Sequence, residues 1–349
     1  MDYPNYQKVM EQTKNATRAY SQLAKELDEV DEFISDLPLV PASSVDMDEG
    51  GFLEPWKYNK NSDLADMQSP YIPHSFETYE RTDYMFMRKT AVYQRWADYL
   101  KDPSSMDEAR MENTKVNIQA IFMDMSNDFV HGNPEADPRQ ALGLEGRFNV
   151  ITDQRGVIQN ESNKYYGKIN PYITLDAGGT DPADLTSVYL LIPSPVGVRR
   201  IYPSKGMYTG GIFYKPGEWH DVQEKDKVSG KDGYTQARVD YIHISSGLSF
   251  KNRRAGVRIA NIDVKKLDNF NRTLRFAVQA IKRSGVNGTI RMYANSDLIP
   301  ELQEYYDSKK YPATYEAAKP SDIGNNTVVI GGLPVRTCDH ILSTEEHIA

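Results

Sequence analysis

The chain has 349 residues and a mass of 39.7 kDa, long enough for two or three packed regions, because domains typically span roughly 100 to 200 residues. Its formal net charge of −8 argues against a protein that coats nucleic acid, since affinity for phosphate backbones comes mainly from cationic surface. The single cysteine, Cys338, excludes an internal disulfide and favours a reducing compartment. We find no signal-peptide pattern and no apolar window of about 18 residues, so we expect neither standard export nor a membrane helix.

The N-terminal part of the chain predicts a helix followed by a long extended segment. Apolar residues between positions 5 and 36 recur every three or four residues, which predicts one amphipathic helix that ends before Pro38. Residues 38 to 80 contain five prolines and show no sustained period. A segment of this kind cannot bury enough apolar area to fold alone, so we expect it to lie on another surface.

Two further helical patterns precede the β-rich part of the chain. Apolar spacing predicts a helix from Tyr84 to Leu100, which the sequence KDPSS then breaks. Ser105 and Glu108 form a capping-box pattern, after which apolar spacing continues toward His131. The resulting helix, over about 106–130, would be roughly 38 Å long at 1.5 Å per residue. That length suits the spine of a domain.

Beyond residue 131 the patterns of helices and strands are mixed. Two helices are predicted, from Leu267 to about Arg283 and from about Leu298 to Ser308. Segments rich in β-branched residues and bounded by turn residues predict strands at Val188–Ile192, Arg199–Tyr202, Arg238–Ile244, Gly256–Ile262, Gly288–Tyr293 and Val328–Ile330. The elements do not alternate strictly, which favours an α+β class over a doubly wound sheet.

Two glycine-containing loops imitate ligand-binding motifs. Gly230-Lys231 is followed by Asp232 and lacks the upstream glycine of a phosphate-binding loop, so a charged hairpin turn is the favoured interpretation. The aspartates between Asp176 and Asp184 do not fall at the spacing of a calcium loop, so a capped turn is favoured there.

Catalytic and zinc-binding patterns are equally weak. Cys338, His340 and His347 cluster near the C-terminus without the spacing of a zinc site, and Cys338 lacks the signature of a catalytic nucleophile. No Gly-x-Ser-x-Gly elbow occurs, and paired carboxylates carry little weight in a chain with 49 acidic residues. We therefore expect no enzyme activity, no cofactor and no metal.

The stretch GLSFKNRRAGVRIANIDV, residues 247–264, combines a strand pattern with four cations, which are Lys251, Arg253, Arg254 and Arg258. Arg258 alternates with Val257 and Ile259, so its side chain is expected on the opposite face of the strand. No aromatic residues interleave with the cations, and the whole chain is acidic. A solvated or inter-subunit face is therefore favoured over a nucleic-acid groove.

Six short segments then occur in one order along residues 25 to 345. They are DEFISDLPLV (31–40), DFVHGNPEADPRQALGLEGRF (128–148), LDAGGTDPADLTSVYLL (175–191), GVRRIYPSK (197–205), YIHISSGLSFKNRRAGVRIANIDV (241–264) and GGLPVRTCDHILSTE (331–345). Together they resemble the major capsid protein of tailed bacteriophages, in particular the sequence-diverse branch found in many short-tailed phages.

The resemblance is carried by a small set of structural positions, which are Gly143, Leu144, Arg147, Phe148, Gly178, Gly179, Thr180, Asn261, Pro334 and Arg336. The chain departs from the family pattern in SKGMYTGGIFYKPGEW, which begins at Ser204, and in residues 38–80. Contacts made by those two segments are the least safe to carry over.

The resemblance implies the Hong Kong 97-type capsid fold. Residues 1–37 would form an N-terminal helical arm and residues 38–80 the extended E-loop. Residues 81–165 would form the peripheral domain, with its spine helix at about 106–130. Residues 166–349 would form the axial domain together with strands that return to the peripheral domain.

The implied function is self-assembly into hexamers and pentamers of an icosahedral head that encloses double-stranded DNA, with procapsid maturation. The implied partners are further copies of the chain, a scaffolding protein, a portal and a decoration protein, with DNA contacted without sequence specificity. The implied location is the virion, after assembly in the host cytoplasm. The candidate inter-subunit residues are Trp56, Tyr71, Phe76, Lys251, Arg253, Arg254 and Arg258.

Two other functions remain as alternatives. Another virion structural or receptor-binding β-rich protein would predict repeats or a trimeric stalk, and the long helix at 106–130 argues against it. A hydrolase would need a convergent nucleophile or acid pair, and the motif search provides none.

Overall fold

The computed structural model describes residues 31–42, 51–55, 78–82, 86–95, 103–137, 139–181, 183–203, 212–215, 219–225, 232–308, 314–316 and 327–348. These residues form mixed sheets with packed helices, which confirms the predicted α+β class. The predicted helix over 5–36 falls mostly outside the described residues, as do Trp56, Tyr71 and Phe76.

The described elements are numbered here in chain order. The strands are β1 (Leu39–Pro41), β2 (Gly51–Pro55), β3 (Thr78–Thr82), β4 (Phe86–Arg95), β5 (Ile173–Asp176), β6 (Leu185–Leu191), β7 (Val198–Tyr202), β8 (Ile212–Lys215), β9 (Trp219–Lys225), β10 (Asp232–Phe250), β11 (Gly256–Asp263), β12 (Arg291–Ala294), β13 (Thr314–Glu316), β14 (Thr327–Ile330) and β15 (Leu333–Thr337). The helices are α1 (Glu32–Asp36), α2 (Pro103–His131), α3 (Leu144–Arg147), α4 (Phe270–Lys282) and α5 (Leu298–Ser308), with a 3₁₀ turn at Arg253–Ala255.

A seven-stranded mixed sheet has the order β13-β14-β15-β12-β6-β11-β5. Every residue of β6 and β11 is buried, so both faces of these central strands are covered. Helix α4 packs against β5, β6 and β11 through Leu274, Ala277 and Ile281, which are at most 2% exposed. Spacing of three and four residues places these side chains on one helix face.

A second sheet is organised by β10, a strand of 19 residues. Its order is β1-β7-β10-β4, and β8 and β9 also pair with β10. The N-terminal part of β10 pairs with β9, its central part with β4 and β8, and its last four residues with β7. One strand therefore connects both ends of this sheet.

The predicted helix from Tyr84 to Leu100 is wrong, because Phe86–Arg95 is strand β4. It pairs antiparallel with β10 over ten residues. Its sequence, FMRKTAVYQR, includes aromatic and β-branched residues that suit a strand as well as a helix. The long pairing with a distant part of the chain decides between them.

The predicted long helix is confirmed as α2, which spans 29 residues and is about 43 Å long. It begins at Pro103, two residues before the proposed capping residue Ser105, since proline is favoured in the first helical turn. Arg88 of β4 donates to Asp128 at 2.7 Å and to Asp124 at 2.9 Å, both on α2. These ion pairs attach α2 to strand β4 of the second sheet.

The remaining predicted elements agree with the structure. Strands β6, β7, β10, β11, β12 and β14 overlap the six predicted strands, and α4 and α5 overlap the two predicted helices. Gly285, two residues beyond the Arg283 cap of α4, has a φ of 70°, a conformation that glycine adopts without strain. The domain boundaries remain predictions.

Candidate assembly interface

The segment Asp31–Ala42, termed here the arm anchor, is where the N-terminal part of the chain joins the body. Asp31 caps α1 by accepting hydrogen bonds from the backbone amides of Phe33 at 2.7 Å and Ile34 at 3.3 Å. Phe33 and Ile34 are at most 1% exposed. A helix of five residues is not stable alone, so α1 is stabilised by the burial of these two side chains.

An ionic cluster fixes α1 to the seven-stranded sheet. Asp36 forms ion pairs with Arg291 and with Arg336, the latter at 3.4 Å. Tyr293 donates to Asp36 at 3.1 Å, and its ring packs edge-to-face on Phe33 with centroids 5.2 Å apart. Burial raises the pKa of the Tyr293 hydroxyl, which keeps it a donor. Arg336, one of the positions that carry the capsid resemblance, is thus part of the contact between α1 and the sheet.

The arm anchor continues into the other sheet. Strand β1 pairs in parallel with β7, with Leu39 opposite Arg200. The Arg200 guanidinium is fully buried and donates to the backbone oxygen of Leu37 at 3.2 Å. The arm anchor therefore touches both sheets within twelve residues, and a displacement of the arm would disturb both.

The predicted E-loop at 38–80 begins with residues 38–42 of the arm anchor, and beyond them the structure describes strands β2 and β3, the second of which ends at Thr82. They pair antiparallel with each other from Gly51–Thr82 to Pro55–Thr78. Within the described strands, this hairpin forms a separate two-stranded sheet. A two-stranded hairpin is marginally stable in water, so its geometry fits a segment that borrows order from another surface.

Gly143 and Leu144 lie where α2 turns back toward the sheets. The Gly143 amide donates to the backbone oxygen of Gly132 at 2.8 Å. A Cβ on Gly143 would lie 2.6 Å from the backbone oxygen of Val130. Leu144 is 1% exposed. The pattern therefore marks a point where two backbone segments approach more closely than a side chain permits.

Arg147 and Phe148 are buried next to that turn. The Arg147 guanidinium donates to the Tyr172 hydroxyl at 3.0 Å and to the backbone oxygen of Leu248 at 3.2 Å. The Phe148 ring packs edge-to-face on Tyr172 and on Phe250, at centroid distances of 5.3 and 5.8 Å. The two residues connect the α2–α3 turn to strand β10.

Gly178, Gly179 and Asn261 meet at an irregularity of β11. Asn261 has a φ of 54°, where the register between β11 and β6 shifts. Its side chain donates to Asp176 at 3.0 Å, and its backbone oxygen accepts from the Gly179 amide at 2.9 Å. Thr180 is exposed. These contacts stabilise a β-bulge at Asn261, and the Asp176 carboxylate accepts hydrogen bonds from amide groups.

The structure overturns the expectation that Arg258 occupies a solvated or inter-subunit face. Its side chain is 4% exposed and pairs with Glu345, 6% exposed, at 2.8 Å. The guanidinium also donates to Ser187 Oγ at 2.9 Å and to the Phe148 backbone oxygen at 3.1 Å. Alternation did place Arg258 opposite Val257, but both faces of β11 are buried.

Arg253, another of the predicted cations, is also buried, at 8% exposure. Its guanidinium carbon lies over the Tyr172 ring, 5.6 Å from the ring centroid. Its expected inter-subunit role is therefore wrong. Lys251 is exposed and Arg254 is half-buried. Only these two remain candidates for contact with another molecule.

The C-terminal segment holds a second ionic site that sequence reasoning missed. His131, at the end of α2, bonds to Glu145 at 2.7 Å and to the His340 backbone oxygen at 2.6 Å. The bond to Glu145 raises the pKa of His131, whereas burial raises the pKa of Glu345. No local pattern signals these contacts, because the partners are distant in sequence.

The segment is further tied to the sheet by side chains that bond its backbone. Thr186 donates to the Leu342 oxygen at 2.7 Å, and Asn261 both donates to and accepts from the backbone of Ile348, at 2.9 and 3.0 Å. Residues 339–348 therefore form a strap across β6 and β11, called here the C-terminal strap.

Two residues from the motifs weighed above for metal or nucleophilic chemistry make structural contacts or are buried. Asp184 pairs with Lys265 at 2.5 Å, and burial raises the pKa of the Cys338 thiol. In the part of the chain that the structure describes, no group of three or more His, Cys, Asp or Glu side chains is arranged to hold a metal. None of the described helices is long and apolar enough to span a membrane.

Two mixed sheets, one helix of 29 residues, a docked N-terminal segment and a separate hairpin define the Hong Kong 97-type capsid architecture. Residues 83–349 match the family model of major capsid protein GP7. The chain belongs to this family, and it is a coat subunit of a bacteriophage head.

Solved structures give the same fold. A near-atomic structure of bacteriophage Epsilon15 is similar with a TM-score of 0.61 at 19% identity, over 100% of this chain and 98% of that chain. The capsid of bacteriophage JBD30 gives a TM-score of 0.45 at 9% identity, over 87% and 88% of the two chains. No curated protein sequence matches the chain.

The resemblance and the coat-protein function are thereby confirmed, and with them the place of the chain in the virion. The family match also sets aside the alternative of a receptor-binding β-rich protein. The individual contact residues remain predictions.

Proposed function

We propose that the chain assembles as hexamers and pentamers into an icosahedral head that encloses double-stranded DNA. The match of residues 83–349 to a major capsid family carries this proposal. Closed shells of one subunit need repeated contacts between different surface patches, so that every copy is both donor and acceptor of each contact. An arm laid on a neighbour raises the effective concentration of the remaining contacts.

The E-loop at residues 38–80 would supply such an arm. The β2–β3 hairpin supports this role, because among the described strands no third strand pairs with it, and a two-stranded hairpin is marginally stable by itself. Trp56, Tyr71 and Phe76 would then bury their rings on the neighbouring subunit. Residues 1–37 would form a second arm that leaves the body at the arm anchor.

The two sheets support a division of the body into two domains. The β10 sheet and α2 would form the peripheral domain. Helix α2 and strand β4 lie within the predicted bounds of 81–165, whereas the other strands of this sheet lie outside them. The seven-stranded sheet with α4 and α5 would form the axial domain, within residues 166–349. Lys251 and Arg254 would lie at contacts between subunits, since their side chains retain access to solvent.

The proposed partners beyond the chain itself are a scaffolding protein, a portal and a decoration protein, with assembly in the host cytoplasm and maturation of a procapsid. DNA would be contacted at the inner surface without sequence specificity, because a net charge of −8 limits tight binding to phosphates. The chain would act without enzymatic activity.

Sedimentation with negative-stain electron microscopy tests this function. The full chain would be expressed alone and with a candidate scaffolding protein, at several concentrations. We expect closed shells, tubes, or rings of five and six subunits. A small species that is unchanged by concentration and by scaffolding protein would contradict the proposal.

A further inference from the structure

The loop between α4 and β12, residues 283–290, contains the pair Asn287-Gly288. This is the single place in the chain of 349 residues where glycine directly follows asparagine. In such a pair the backbone nitrogen of the glycine is well placed to attack the asparagine side chain, because glycine has no Cβ to shield that nitrogen. Whether the pair reacts in the folded chain then depends on its surroundings.

The surroundings leave both reacting groups accessible. Asn287 and Gly288 are exposed and lie outside the helices and strands. The turn before them is closed by the Val286 amide, which donates to Ser284 Oγ at 3.1 Å. Within the described part of the chain, neither the Asn287 side chain nor the Gly288 amide has a hydrogen-bond partner. Small rotations in the loop can therefore bring the two groups together without breaking another bond.

Two asparagines in a different surface loop show the contrast. The Asn160 side-chain oxygen accepts from the Ser162 amide at 2.9 Å, and that of Asn163 accepts from the Tyr165 amide at 2.9 Å. These bonds fix the orientation of both side chains. Each of the two asparagines is also followed by a residue with a long side chain, which shields the next backbone nitrogen. Both features that favour the reaction at Asn287 are absent there.

The glycine at position 288 is required by packing. A Cβ on Gly288 would lie 2.5 Å from Cγ2 of Ile192. Ile192 directly follows strand β6 and is 2% exposed. An isoleucine side chain is branched at Cβ and has little freedom to move away. The fold therefore keeps glycine at the position that makes the preceding asparagine reactive.

We propose that Asn287 is a site of spontaneous deamidation. The Gly288 nitrogen loses its proton and forms a bond to Cγ of Asn287, the bond from Cγ to Nδ2 breaks, and ammonia leaves with that proton. Water then opens the resulting succinimide at one of its two carbonyl groups, which gives aspartate or isoaspartate at position 287. Water is the only co-reactant, nothing is oxidised or reduced, and the reaction is independent of shell assembly.

The two products differ in their structural effect. Aspartate keeps the length of the main chain and adds one negative charge to the loop. Isoaspartate directs the main chain through Cγ and so lengthens it by one methylene group directly before Gly288, which displaces Gly288 from its place on Ile192. Strand β12 begins shortly afterwards at Arg291, which pairs with Leu191 of β6. We therefore expect isoaspartate, but not aspartate, to loosen this end of the β6–β12 pairing.

Peptide mass spectrometry of the aged chain tests the site. The full chain is kept folded at mildly alkaline pH in water labelled with heavy oxygen, and is then digested with trypsin in ordinary water. Cleavage after Arg283 and Arg291 releases residues 284–291 as one peptide. We expect this peptide to exchange the amide group for a labelled oxygen at a rate within about tenfold of that in the urea-unfolded chain, because an exposed loop is little protected.

The internal control is the peptide that contains Asn160 and Asn163. The matched variant is Asn287→Gln, which keeps the amide but must form a larger ring. Both should remain unmodified over the same time. Labelling of the control asparagines at a similar rate would overturn the proposal, because the reaction would then be general ageing. A folded chain that reacts more than about tenfold more slowly than the unfolded chain would also overturn it, since the fold would then protect Asn287.

Amide exchange measures the structural consequence. We expect residues 289–292 to exchange about tenfold faster in the chain that contains isoaspartate, and at the original rate in Asn287→Asp. Equal exchange in the unaltered chain and in both modified chains would overturn the displacement of Gly288. None of these measurements uses assembled shells, so their failure would leave the proposed function intact, and a failure to assemble would leave the deamidation site intact.

Discussion

The buried ion pair between Arg258 and Glu345 permits a quantitative prediction. In Glu345→Gln the side chain keeps its shape and an acceptor oxygen, but the guanidinium of Arg258 loses its counter-charge at 4% exposure. Breaking a buried pair by removing one partner costs about 3 to 5 kcal/mol. Because the amide still accepts hydrogen bonds, we expect the lower end of that range, about 3 kcal/mol.

The assay is thermal unfolding of the unassembled subunit by near-ultraviolet circular dichroism. Unfolding entropy is about 2.1 cal/mol/K per residue, or about 0.7 kcal/mol/K for 349 residues, so Tm should fall by about 4 °C. Replacing both partners, with Arg258→Met and Glu345→Leu, should restore most of the loss, because no charge is then left buried alone.

The control is Arg139→Gln, which removes an exposed pair with Asp137 at 2.8 Å and should leave Tm unchanged. An unchanged Tm in Glu345→Gln, or a double variant less stable than the single one, would refute the claim that the ion pair neutralises an otherwise costly buried cation.

Three further predictions concern the arm anchor, the C-terminal strap and the bulge. His131 has a raised pKa because it bonds Glu145. Its contribution to stability is therefore present below about pH 6.5 and is lost as pH rises through the folded-state pKa. Urea unfolding between pH 5.5 and 8.5 should show this loss, and His131→Gln should abolish the pH dependence. Asp36→Asn should speed amide exchange at residues 33–37 by about tenfold, because α1 loses its ion pairs; unchanged exchange would contradict the anchoring role. Asn261→Ala should be less stable than Asn261→Gly by about 1 kcal/mol in urea unfolding, because only alanine is strained at positive φ; equal stability would mean that the lost hydrogen bonds decide.

Local periodicity predicted most of the described elements, because a helix or a buried strand shows its pattern within a few turns or residues. Helix α2 and strand β11 are examples. Strand β4 could not be predicted in this way, since Phe86, Val92 and Tyr93 also fit a helix. Its partner begins at Ala237, in a distant part of the chain, and only that pairing determines its conformation.

The burial of Arg258 could not be predicted from the sequence for the same reason. Alternation placed Arg258 on the face opposite Val257, but exposure of that face depends on what covers it. The covering segment contains Glu345, which is 87 residues away. Glycine positions are more informative: Gly143 belongs to the capsid-like pattern, and its Cβ position is crowded by backbone atoms.

Strand β10 has a mechanical consequence for the shell. Nineteen residues at about 3.3 Å each give a strand of roughly 60 Å, which bonds β9 at one end, β4 along its centre and β7 at the other end. Force applied at the β9 end would travel along the covalent backbone of β10 and then, through hydrogen bonds, to β7 and to β1 in the arm anchor. In an assembled shell, tension on the β9 end of a subunit would thus be carried lengthwise by one continuous strand, which would make the coat stiff in that direction and more compliant across it.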